Sequence, residues 1–219
     1  MNKRGRIKIA IGCYGGRRGN TIASLIRMGL RRQLGEDYAQ EIEVCGIGHP
    51  NFAKGGLMPK EHVDALEQIV KDAPEAGEAA AELRGIKREP IKDIDQFDAV
   101  YAVDTYIQGE YKKLSREKGG KHIYTISEAS GINHGRYGPD LDDTETPLHF
   151  VTEVKIPEKD GKSPRPGAPK SPKDATWYSL NGEAYKAGTP EARNEEAKDL
   201  VRIARVITRK IVSQYKKAG

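Results

Sequence analysis

Short β-branched segments alternate with amphipathic helical ones from residue 6 to residue 126, and that alternation leaves few folds open to the chain. Residues 6–13 read as a buried strand carrying Ile7, Ile9 and Ile11 and ending in Gly12 and Cys13. From Thr21 the period changes: Ile22, Leu25, Ile26, Gly29, Leu30 and Leu34 share one helical face, and Gly35 can stop the helix. Residues 41–47 alternate as a second strand. Pro59 opens a helix with Val63, Leu66, Ile69 and Val70, and an alanine-rich helix follows around residues 75–84. Residues 97–103 form a third strand. Asp104 and Thr105 then cap a helix to about residue 118, and residues 122–126 form a fourth strand. Strands joined by helices of this length pair in parallel. The expected fold class is therefore α/β: a small doubly wound four-stranded parallel sheet with helices on both faces.

The pattern stops at about Thr152. Pro157, Pro164, Pro166, Pro169 and Pro172 are interleaved with lysine, glycine and serine, a composition that does not build a packed core. Residues 176–180 and 183–185, around Asn181-Gly182, suit a hairpin with a type I′ turn. Thr189 and Pro190 open a last helix whose stripe of Leu200, Ile203, Ala204, Ile207, Ile211 and Tyr215 is expected to dock on the sheet. These shifts divide the chain into a core over 1–151, an insertion over 152–189, and a helix over 190–219 that completes the core.

A chain of 219 residues fits one domain with such an insertion. It has no apolar run of the ~18 residues that a bilayer requires. The basic start is followed by only Ile7, Ile9, Ala10 and Ile11 before Gly12, too short for a secretory signal, so a cytoplasmic location is expected. Two cysteines make neither a disulfide framework nor a zinc site, and the five histidines lack metal-ligand spacing. Nothing calls for a cofactor. Lys+Arg 37 against Asp+Glu 32 leaves +5, which favours anionic partners. With aromatics at 6%, nucleic acid is the weaker choice of anion, and it would demand strongly salt-dependent affinity.

The most informative segment is Gly12-Cys13-Tyr14-Gly15-Gly16-Arg17-Arg18-Gly19-Asn20-Thr21, between a strand and a helix. Open α/β sheets bind ligands at the carboxyl ends of their strands. Glycines let backbone N–H groups turn inward, and the helix start adds its positive end, so such a loop takes an oxyanion. The same field favours the nucleophilic thiolate of a cysteine at its start. Arg17 and Arg18 add planar donor forks suited to phosphate. The spacing of Gly12, Gly15, Gly16 and Gly19 matches neither a P-loop NTPase nor a dinucleotide fingerprint. An ordinary buried thiol beside a glycine turn is the plain alternative.

The segment resembles the active-site loop of the low-molecular-weight protein tyrosine phosphatase family, which includes arsenate reductases and protein arginine phosphatases. That family places Cys-x5-Arg-Ser/Thr-Pro between first strand and first helix. The helix Ile22-Ala23-Ser24-Leu25-Ile26-Arg27, the Ala102-Val103-Asp104 strand end, and Gly85-Ile86 before Pro90-Ile91 are similar to the corresponding family segments. In an ungapped alignment the family arginine falls on Gly19, its serine on Asn20 and its proline on Thr21. Arg18 lies one position early, and of the two arginines it is the closer to the clamp position. The resemblance implies a cysteinyl-phosphate mechanism acting on phosphotyrosine or another phosphomonoester. Cys13 would be nucleophile, Arg18 the clamp, and Tyr14, Gly15, Gly16, Arg17, Gly19 and Asn20 the phosphate cradle. The family's acid follows the fourth strand, where Tyr137-Gly138-Pro139-Asp140-Leu141-Asp142-Asp143 stands. Asp140 is the chosen acid, with Asp142 and Asp143 open as alternatives. Asp104 reads as a helix cap, and Tyr137 and His134 lie near the acid stretch. The competing expectation is a catalytically inactive module that binds a phosphorylated ligand.

Overall fold

The computed structural model describes residues 6–39, 41–51, 56–103, 105–116, 120, 122–126, 128, 150–151, 176–178, 183–186 and 189–218. Strand β1 (Ile7–Cys13) leads into helix α1 (Arg17–Leu34), then a short α2 (Glu36–Ala39) and β2 (Ile42–Gly48). Helices α3 (Lys60–Gln68) and α4 (Pro74–Leu83) precede β3 (Ala99–Ala102), α5 (Thr105–Leu114) and β4 (Ile123–Thr125). Strands β5 (Phe150–Val151), β6 (Thr176–Tyr178) and β7 (Ala184–Lys186) come next, and α6 (Pro190–Ala218) ends the chain.

The main sheet has the order β2-β1-β3-β4, and every pairing in it is parallel. Alternation along β1 sends its side chains to opposite faces. Ile9 and Ile11 join a core with α1, α3, α4 and α6, while Ala10 joins Val100, Ile107, Tyr111 and Ile123 on the face covered by α5. Helices thus cover both faces of the sheet, as the alternating pattern predicts.

Two expectations change. Helix α1 begins at Arg17, four residues before Thr21, because its polar first turn is buried by partners from α3 and α6. The apolar stripe of α6 lies mainly on α1 and α3, and α1 in turn covers β1 and β2. Thr189 caps α6 as expected, accepting the Ala192 N–H at 3.2 Å. The two expected hairpin strands pair antiparallel, and Phe150–Val151 adds a third strand that the sequence did not signal. No helix among the described residues is long and apolar enough to cross a membrane.

Candidate functional site

Cys13 is buried at the carboxyl end of β1, opposite Gly48 of β2. Only Tyr14, Gly15 and Gly16 separate it from α1. Gly16 makes this tight turn possible by adopting a left-handed φ of 72°, where a Cβ would be strained. The Gly16 N–H donates to the Cys13 carbonyl at 3.4 Å. Gly16 also accepts twice, from the Asn20 backbone N–H at 3.1 Å and from Asn20 Nδ2 at 2.7 Å. Asn20, expected in the cradle, thus ties the turn to the first helical turn.

The Gly19 N–H points at Cys13 Sγ across 3.4 Å, so the sulfur faces the positive start of α1. Gly19 itself lies hard against the sheet. A Cβ there would stand 2.4 Å from the Ile11 carbonyl oxygen and 3.3 Å from that of Ile47. Gly46 reciprocates from β2, since its Cβ would lie 2.3 Å from Asn20 Cα. No side chain fits where the ungapped alignment puts the family arginine.

Arg17 and Arg18, expected near the anion, converge instead on one carboxylate. Arg17 Nη2 donates to both oxygens of Glu196, at 2.8 and 3.1 Å, and Arg18 Nε donates to Oε1 at 2.6 Å. Glu196 comes from α6 and is buried. Burial alone would raise its pKa, but the two guanidinium charges outweigh it and hold the carboxyl down at about 2. Behind this pair the Thr21 hydroxyl donates to the Arg17 carbonyl at 3.0 Å, and Thr21 Oγ1 lies 2.7 Å from His62 Nε2. The hydroxyl hydrogen is committed to Arg17, so His62 Nε2 carries the proton donated to Thr21. Burial first, then the Arg17 charge, push the His62 pKa down to about 3. The imidazole is neutral, and its Nδ1 is a buried acceptor with no partner among the described residues.

Two further groups reach the turn that the sequence did not single out. His49 follows β2; its N–H donates to the Tyr14 carbonyl at 3.1 Å and its ring stacks on Tyr14 with centroids 5.2 Å apart. Its Nδ1 accepts the Asn51 N–H at 3.2 Å, and its Nε2 lies 3.5 Å from a Glu110 carboxylate oxygen. Arg88 also reaches the turn, with Nη1 3.5 Å from the Gly15 carbonyl and Nε 3.4 Å from that of Gly56. His49 directly follows β2, which parallel pairing places beside Cys13, whereas the sequence held no signal for Arg88, whose segment meets β2 at Gly48 in the structure. Asp104, His134, Tyr137, Asp140, Asp142 and Asp143 lie outside the described residues. Among the described residues no cluster of ligating side chains could hold a metal ion.

This architecture is the fold of the low-molecular-weight protein tyrosine phosphatases. The chain is similar to a variant of YwlE from Bacillus subtilis at 13% identity and a TM-score of 0.54, covering 94% of this chain and 98% of that one. The low-molecular-weight protein tyrosine phosphatase of T. tengcongensis gives 14% identity and a TM-score of 0.54, with coverage of 93% and 99%. A cysteine-to-serine variant of the YwlE arginine phosphatase with a phosphorylated active-site serine gives 14% and 0.55, with coverage of 94% and 95%. Identities this low establish the shared fold alone. No protein-family model matches the chain, and no curated protein matches it.

Proposed function

We propose that the chain is a phosphatase-like protein that takes a phosphoryl group at the turn between Cys13 and Thr21. One observation carries the reading: the Cys13 sulfur stands at the start of an 18-residue helix with the Gly19 N–H directed at it, inside a phosphatase fold. Fixed N–H dipoles at a helix start favour an oxyanion. Tyr14, Gly15, Gly16, Arg17, Arg18, Gly19 and Asn20 make up the proposed cradle, and its ligand is a phosphorylated substrate.

Hydrolysis on this reading takes two steps. The Cys13 thiolate attacks phosphorus, the phosphorus–oxygen bond to the leaving group breaks, and Asp140 gives that oxygen its proton. Water, deprotonated by the same carboxylate, then cleaves the cysteinyl phosphate to inorganic phosphate and free thiolate. Arg18 holds Glu196 through its Nε, at 2.6 Å. We place this chemistry on a core over residues 1–151 completed by 190–219, in the cytoplasm, with 152–189 as an insertion.

A second reading, a module that holds a phosphorylated ligand without cleaving it, is favoured by the same arginines. With Gly19 bare and Arg17 and Arg18 both bound to Glu196, the turn's own arginines do not reproduce the family clamp, a loss worth ~10²-fold or more. Aryl phosphate hydrolysis by the wild type and by Cys13→Ser, with phosphate binding followed in parallel, tests both. Turnover abolished by Cys13→Ser supports the enzyme. Phosphate binding without turnover supports the module, and neither activity removes both.

A further inference from the structure

We infer that Arg88 supplies the guanidinium to a phosphoryl group held at the Cys13 turn. The inference rests on the phosphoryl-binding reading above and names a residue the sequence did not offer. Among the described residues three arginines lie at or beside the turn, and they are not equivalent. Arg17 and Arg18 are bound by Glu196, a buried carboxylate held ionised. Freeing either one would leave that carboxylate buried and short of a partner, a costly state.

Arg88 carries no such obligation. Among the described residues no carboxylate pairs with it, and its contacts are two long ones to the carbonyls of Gly15 and Gly56. Its Nη2 has no protein partner there. Its backbone is fixed where it stands: the Arg88 N–H donates to the Gly56 carbonyl at 2.9 Å, and the neighbouring Glu89 carbonyl accepts the Gly48 N–H at 2.9 Å. Gly48 is the residue opposite Cys13 in the sheet. The Arg88 stem also lies over the turn, since a Cβ on Gly16 would sit 3.3 Å from Arg88 Cβ. A rigid anchor beside β2 therefore carries a half-buried, uncommitted cation to the rim of the turn whose amides would meet the oxyanion. A planar donor fork in that position suits two phosphoryl oxygens at once.

The structure also gives Arg88 a role different from that of a charge spread along the surface. Lys87, one residue earlier, is exposed and pairs through a bridge with Leu57. Removing either cation changes the net charge equally, but only Arg88 touches the site.

Isothermal titration with inorganic phosphate and with orthovanadate, on the full chain, separates these possibilities. Arg88→Ala is expected to weaken both anions about tenfold or more, the scale of a lost hydrogen bond to a charged group. Arg88→Lys is expected to recover part of the affinity, and Lys87→Ala to stay within about twofold of wild type. Melting temperatures close to wild type would confirm that the variants fold, as two long carbonyl contacts predict. Wild-type binding that survives Arg88→Ala overturns the inference alone. So does a loss confined to Arg18→Ala, or an equal loss in Lys87→Ala. A wild type that holds neither anion overturns the phosphoryl-binding reading, and this assignment with it.

Discussion

Gly19 lies so close to Ile11 that a Cβ built on it would stand 2.4 Å from the Ile11 carbonyl oxygen. The obstacle is strand backbone, which cannot move aside as a flexible side chain would. A glycine in a helix interior ordinarily costs ~1 kcal/mol against alanine, so Gly19→Ala at a tolerant site would stabilise. Here we expect the reverse, a loss of about 2 kcal/mol or more from overpacking, read as a lower denaturation midpoint in urea. Gly19→Arg is expected to unfold the domain rather than restore a phosphatase clamp. A folded Gly19→Arg protein with tighter phosphate binding would refute the close packing.

That relationship also marks where sequence reading stops. The parallel sheet was legible, because Ile9, Ile11, Val44 and Val100 are strand-forming residues in segments bounded by glycine or turns. The register that sets Cys13 beside Gly48 comes from the structure. The start of α1 was not legible. Arg17, Arg18 and Asn20 look like loop residues locally, yet they form a helical turn in which Glu196, nearly 180 positions away, pairs with both arginines and Asn20 bonds the Gly16 carbonyl. Local periodicity carries no information about a partner at that separation. Arg88 and His49 escaped for a related reason: their positions depend on the edge of β2, not on any spacing from Cys13.

The carboxylate of Glu196 should be essential to the fold. Glu196→Gln keeps its shape and removes its charge, leaving two guanidinium groups around a neutral amide in a buried site. Breaking a buried ion pair from one side costs about 3–5 kcal/mol, and we expect a loss of that order in chemical denaturation. A change below about 1 kcal/mol would mean that water already solvates the arginines.

The same carboxylate predicts behaviour in acid. Its folded pKa, about 2, lies below the 4.5 of an ordinary glutamate, so the unfolded chain takes up the proton first. Its contribution to stability is fully present above pH ~4.5 and declines as pH falls toward 2. Glu196→Gln should therefore unfold with a flatter pH dependence between 4.5 and 2 than the wild type. Parallel profiles through that window would show that Glu196 is not held ionised.

Cys45 offers a contrast within one experiment. Burial first, then the Glu43 charge, push its thiol up to about 11, so at neutral pH almost none of it is the reactive thiolate. Alkylation by iodoacetamide at pH 7 is expected to spare Cys45, and to accelerate there only as pH approaches 11. Any modification at neutral pH should map to Cys13, and inorganic phosphate should slow it if the turn holds an oxyanion. Mass-spectrometric mapping reads both thiols together, and preferential labelling of Cys45 would contradict the environment assigned to it.

His62 provides the last and most separable test. It is buried on α3, neutral, and held near a pKa of about 3 by burial and by Arg17. An unfolded histidine titrates near 6.5, so below that pH the unfolded chain binds a proton that the folded one refuses. Stability should begin to fall as pH drops through 6.5 and keep falling toward 3. This onset lies about two pH units above that of Glu196, so the two can be told apart on one profile. His62→Gln retains a donor for Thr21 Oγ1 and removes the titration. The variant is expected to lose some stability at pH 7 through imperfect packing, while its profile between pH 6.5 and 4.5 goes flat. A slope unchanged from wild type in that window would place the responsible proton on another group and end the case for a neutral His62.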